Sequence, residues 1–138
     1  MANSKSIGVA FLDQDIIGAD YIYAAGEIGY SAAGQGTVTQ ATSKSTGVTL
    51  NKSAGQITMN NAALAAATNV TFTLTNSTLS AKDVLILNVS GAATSGAYNC
   101  WVSSMSAGSA TITLRNITAA TSLSEAVVIN FAIIHGAP

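Results

Sequence analysis

Residues 69–75 read NVTFTLT and residues 110–116 read ATITLRN. In both, apolar side chains alternate with threonine and other small polar residues, the period-two pattern of a strand with one face buried and one in water. The pattern continues in short segments from Ser53 to Leu114, a stretch whose only charged residues are Lys82 and Asp83. Working outward, the segments Thr37 to Thr42, Gly47 to Asn51, Gln56 to Asn60, Asn69 to Thr75, Val84 to Ser90, Ala97 to Ser103, Ala110 to Asn116 and Ala126 to His135 all qualify as strands. They are evenly spaced, joined by turn-rich pieces such as Gly91 to Gly96 and Ser106-Ala107-Gly108, and free of proline before Pro138. This organisation predicts an all-β fold, an antiparallel β-sandwich or barrel, and argues against alternating β and α units.

The alternation also assigns a core. Val48 and Leu50, Ile57 and Met59, Val70, Phe72 and Leu74, Ile112 and Leu114, and Val127, Ile129, Phe131 and Ile133 point one way, leaving Thr71, Thr73, Thr75, Thr111, Thr113 and Arg115 on the other. Val84 to Val89 and Val127 to Ile134 differ, because both of their faces are apolar. Such strands are expected to be buried on both sides, the second face covered by a neighbouring subunit or by the amino-terminal arm. Two short pieces, Asn61 to Ala67 and Ser122 to Ala126, read as helical turns, the second with Ser122 and Glu125 spaced as a capping box.

Composition narrows the function. The 138 residues suit one domain with an arm, charged residues make up 8% against about a quarter in ordinary soluble domains, and the net charge is −1. There is no clustered Lys and Arg to neutralise phosphate, so nucleic acid is not an expected partner. Mean hydropathy is +0.42, yet no apolar run approaches the roughly 18 residues of a spanning helix, so no membrane is expected either. A near-neutral surface repels itself weakly, which predicts permanent self-association. The opening residues lack a secretory leader, and synthesis in the cytosol without processing is the expectation. The five N-x-S/T triplets, at Asn51, Asn69, Asn76, Asn88 and Asn116, are taken as chance products of an Asn- and Thr-rich chain.

Residues 1–36 form a distinct arm and residues 37–138 the sandwich domain. Four of the six acids, Asp13, Asp15, Asp20 and Glu27, sit in the arm among Phe11, Ile16, Ile17, Tyr21 and Tyr23. These five apolar residues are candidate contacts with another subunit or a shell, ordering when they meet it. The arm ends in the flexible joint GYSAAGQG, Gly29 to Gly36. The three aspartates lack the spacing of a calcium loop, and no metal or other cofactor is expected. Trp101, with Asn99 and Ser103 on one strand face, suits a sugar platform, a subunit anchor or packing within the chain. Arg115 is expected either to cross a subunit boundary and pair with an acid such as Glu125, or to lie exposed. Lys82 and Asp83 are expected in a solvated turn and His135 at a frayed strand end. Cys100 is read as a small buried hydrophobe on the face of Tyr98 and Val102. No Ser/His/Asp set, carboxylate pair or phosphate loop is evident, so no catalytic residues are assigned and an enzyme is not expected.

The run from Gly36 to Ile134, with GTVTQATSKSTGVTLNKSAGQITMN followed by FTLTNSTL, GAYNCWVSS, ITLRNIT and SLSEAVVINFAII, resembles small structural proteins of tailed bacteriophages and prophages. It is similar in style to head decoration (cement) proteins. The resemblance implies a jelly-roll-like sandwich assembled in threes, located in the virion and bound to the major capsid protein. A tail-associated module that binds a host glycan through the Gly91 to Tyr98 loop and Trp101 is the alternative.

Overall fold

The computed structural model describes Tyr21 and residues 23–136. Among the described residues eight strands form, in the order β1 (Gln35–Thr39), β2 (Val48–Thr49), β3 (Ala54–Thr58), β4 (Asn69–Thr75), β5 (Val84–Gly91), β6 (Tyr98–Ser106), β7 (Ser109–Asn116) and β8 (Val128–Ile134). Each corresponds to one of the segments the alternation picked out. They build two four-stranded sheets, β1-β3-β8-β5 and β2-β4-β7-β6, packed face to face as an all-β sandwich.

From β1 to β6 every connection carries the chain to the opposite sheet, and only β6 and β7 are joined as a hairpin within one sheet. Because direction reverses at each crossing, β1 and β3 enter their sheet running the same way, as do β2 and β4. These two pairs are therefore parallel, whereas the other four are antiparallel. The strand pairs β3/β4 and β5/β6 flank the pair β8/β7 across both sheets, which is the wrap of a jelly roll in six strands. In the β6–β7 turn Gly108 has φ 81°, a left-handed conformation that glycine adopts without steric cost.

The inward faces close on Ile57, Ile129, Phe131, Ile133 and Leu85 from one sheet and Val48, Phe72, Leu74, Ile112 and Leu114 from the other, all buried. Each such side chain contributes about 1.5–3 kcal/mol through removal from water. The residues assigned inward by alternation are there, with Leu50 and Val70 half-buried at the margin. The loops add Leu64 and Leu79.

The two short helices do not form. Leu64 and Leu123 instead make an isolated antiparallel bridge, with N–H to O distances of 2.9 and 3.1 Å. Burying Leu64 against the sheets outweighs the weak helix preference of seven alanine-rich residues. The residues Ser122 and Glu125 are likewise not a cap, for the Glu125 carboxylate receives the N–H and hydroxyl of Thr94. The described helical structure is one 3-10 turn, Ala32–Gly34, leading into β1.

Two of the N-x-T triplets have a structural cause. Asn76 and Asn116 are fully buried, and each side-chain oxygen accepts from the N–H and the hydroxyl of the threonine two residues on, Thr78 or Thr118. Their amides donate inward, Asn76 to the Lys52 carbonyl and Asn116 to the carbonyls of Leu64 and Thr121. The motif closes a turn after β4 and after β7 by satisfying backbone groups that would otherwise be buried without partners. Asn116→Asp replaces two donors with an anion facing two carbonyls and is expected to cost about 3 kcal/mol or more in urea unfolding. Asn88→Asp, on an exposed face, should stay within about 0.5 kcal/mol.

Candidate interaction faces

Outward from the core, the two sheets present unlike surfaces. On β2-β4-β7-β6 the face is hydroxyl-rich: Thr71 lies across from Thr113, and Thr73 from Thr111. Thr71 Oγ1 and Thr113 Oγ1 are 3.1 Å apart, and Ser103, in the bulge of β6, bonds to the same Thr113 hydroxyl. Trp101 stands on this face opposite Thr113, 37% exposed, and Asn99 pairs with Arg115. Arg115 donates from Nη1 to Asn69 Oδ1 at 3.2 Å. Within the one chain it does not meet Glu125, whose carboxylate is held by Thr94.

On β1-β3-β8-β5 the outward face is apolar at one end. Val84 and Ile134 are register partners, as are Ile86 and Ala132, with Ala54 beyond. Val84 is 57%, Ile86 49% and Ile134 56% exposed. The expectation that β5 is buried on both faces is thus half met: Leu85 is buried inward, while among the described residues Val84 and Ile86 stand exposed on the outer face. Tyr21 and Tyr23 stack on each other with centroids 5.9 Å apart and are 77% and 88% exposed. Phe11, Ile16 and Ile17 lie outside the described residues.

The apolar end of this face is bordered by a polar latch that alternation could not reveal. Asp83, expected in solvent, is buried. One carboxylate oxygen accepts from the Ser80 N–H at 2.8 Å and from His135 Nδ1 at 3.1 Å; the other accepts from the Ser80 hydroxyl at 2.8 Å and the Gly136 N–H at 2.9 Å. His135 is therefore fastened rather than frayed, and its Nε2 lies 3.4 Å from Ser53 Oγ. Gly136 fits because it has no Cβ, which would stand 2.5 Å from the Lys82 carbonyl oxygen. A Ser/His/Asp row does therefore exist, contrary to the sequence reading. Its serine contact is long, however, its histidine is 43% exposed, and its aspartate ties the end of β8 to the turn before β5. These features make it a fastening between strand ends.

A second polar cluster pins the opposite end. Gln40 and Lys44 are buried. Gln40 Nε2 donates to the carbonyls of Lys44 and Thr46, its Oε1 accepts from the Asn60 N–H, and Lys44 Nζ donates to the carbonyls of Asn60 and Glu125, both at 2.5 Å. Burial pushes the Lys44 pKa down, opposed by the nearby Glu125 carboxylate. Tyr98, with a buried hydroxyl that makes no hydrogen bond of good geometry, is pushed up to about 12 by burial and then by Glu125. Burial also raises the pKa of the Cys100 thiol, a half-buried group packed against the core. Gln40 and Lys44, through their bonds, set the positions of the loops they join.

Among the described residues no group of three or more His, Cys, Asp or Glu is placed to hold a metal, and no helix is long and apolar enough to cross a membrane. Comparisons with protein-family models, curated proteins and solved structures found no match.

Donation from Ser80 foremost, with Gly136 and His135, holds the Asp83 carboxyl well below the usual carboxylate range. Thr94 does the same to a smaller degree for Glu125. Folding therefore favours both ionised forms. Their contribution is complete above an unfolded pKa of about 4 and is lost as pH falls through the carboxylate range. The melting temperature should drop on acidification from pH 6 to pH 3. Asp83→Asn should melt lower than the parent at pH 7 and show a flatter pH dependence, measured by circular dichroism.

Proposed function

We propose that this chain is a non-enzymatic virion protein of the head decoration type, assembling as a trimer and binding the major capsid protein to stabilise the shell. The observation that carries this reading is the uncovered apolar end of the β1-β3-β8-β5 face, Val84, Ile86 and Ile134, on a chain with almost no charge to oppose association. The resemblance of residues 36–134 to phage decoration proteins supports the same role.

Decoration calls for extended, weakly charged contact surfaces. An interface of ordinary size buries about 800 Å² per partner. Repeated over many copies, it can reinforce a shell without a single strong site. The buried polar groups fit a structural part, since Asp83, Lys44, Gln40, Asn76 and Asn116 each hold a loop or strand end in place.

Trp101 gives a second reading its specific observation. An indole 37% exposed on a hydroxyl-rich face is a surface on which a sugar ring can stack, as a tail-associated receptor-binding module would require.

Cosedimentation of the purified protein with shells lacking it separates these readings. Saturable binding at many copies per particle is expected, with protection of the shell against heat. Failure to bind shells, together with glycan-array hits abolished by Trp101→Ala, would replace decoration with adhesion. A fluorophosphonate probe should leave Ser53 unlabelled; labelling abolished by His135→Ala would reinstate an enzyme.

A further inference from the structure

The outer face of β2-β4-β7-β6 gathers four unlike groups at one end. Trp101 lies opposite Thr113, and one row along, Asn69, Arg115 and Asn99 stand abreast on β4, β7 and β6. Trp101 and Arg115 are therefore diagonal neighbours on adjacent strands, about 7–8 Å apart. The residues around the indole on that face are polar: Asn99 and Ser103 along its own strand, Thr113 and Arg115 on the next. An exposed apolar ring thus stands in a polar surround.

Arg115 has no anion beside it. Among the described residues the one ion pair joins His135 to Asp83, and the other described carboxylate of the sandwich, Glu125, is held by Thr94. The half-buried guanidinium is fixed by its bond from Nη1 to Asn69 Oδ1 at 3.2 Å, which leaves its remaining N–H donors for a ligand.

We infer that this end of the face binds a pyranose carrying a carboxylate, as in a uronic or sialic acid. The indole stacks on the apolar side of the ring, Arg115 donates through its fork to the carboxylate, and the amides of Asn69 and Asn99 meet the hydroxyls. An inorganic anion offers nothing to the indole. An aspartate or glutamate of a protein partner offers no flat ring beside its carboxylate and no rim of hydroxyls for the amides. An acidic sugar supplies all three. Fixing Arg115 against Asn69 in advance also lessens the side-chain freedom lost on binding.

The inference rests on the reading of Trp101 as a sugar-stacking surface and adds the charge of the sugar. Trp101 is the only tryptophan in the chain, so its fluorescence reports this site directly. The full chain is titrated with galacturonic acid trimer, with the methyl ester of that trimer, with sialyllactose and with lactose. A saturable change in emission is expected with one of the two acids, which then identifies the sugar as uronic or sialic. The matching neutral sugar should bind about tenfold more weakly. Arg115→Gln should lower binding of the acid to the level of the neutral sugar, and Arg115→Lys, which keeps the charge without the fork, should restore part of it. Comparing acid with neutral sugar uses the unaltered chain, so the outcome stands even if a variant misfolds. Equal binding of acid and neutral sugar, unmoved by Arg115→Gln, overturns the acidic sugar and leaves the stacking surface standing. No change in emission and no heat of binding with any of the four sugars overturns both.

Discussion

The structure depends on the last strand occupying the middle of a sheet. β8 pairs with β3 on one side and β5 on the other, and its inward residues Ile129, Phe131 and Ile133 are buried in the core. Without it, β1 and β3 would be parted from β5, and both sets of ladder groups would lose their partners. The contact joining Gln56 to Asn130 spans much of the chain, so the sandwich cannot close until its final segment docks. This makes the latch around Asp83 intelligible, because it holds the end of β8 against the turn that begins β5.

Period two is a direct consequence of the pleat, so a run such as Val70, Phe72 and Leu74 against Thr71, Thr73 and Thr75 discloses both a strand and its buried side. All eight strands and most of the core were legible on that ground. Pairing partners were not, since alternation states which face is wet and says nothing of which strand lies alongside. The parallel edges follow from the repeated crossing between sheets, a property of the whole path. The alanine-rich piece around Leu64 was misread because a helix preference worth tenths of a kcal/mol per residue yields to burial of one leucine.

The candidate surfaces were legible in the same uneven way. Two-sided apolarity in the sequence marks Val84, Ile86 and Ile134, and the odd aromatic on a polar strand marks Trp101. The buried polar residues were hidden because Asp83, Lys44 and Gln40 look like surface residues wherever composition is the guide. Their partners are mostly backbone groups, several of them distant in sequence. Lys44 meets the carbonyl of Glu125, and Asp83 meets the N–H of Gly136. Only Asn76 and Asn116 carried a local signal, the threonine two places on, and that signal also matches a glycosylation triplet.

Scarcity of charge links the fold to the assembly proposed for it. In β5 and β8 every residue is uncharged, and the buried Lys44 and Asp83 are spent on internal bonds, so little charge remains to keep copies apart. A free monomer with such an edge is an aggregation hazard. The same edge is harmless when a specific neighbour covers it, because the apolar area and the open ladder are then removed from water together. The permanent assembly proposed for this chain would use that relation, the surface that causes indiscriminate association being occupied by one chosen contact.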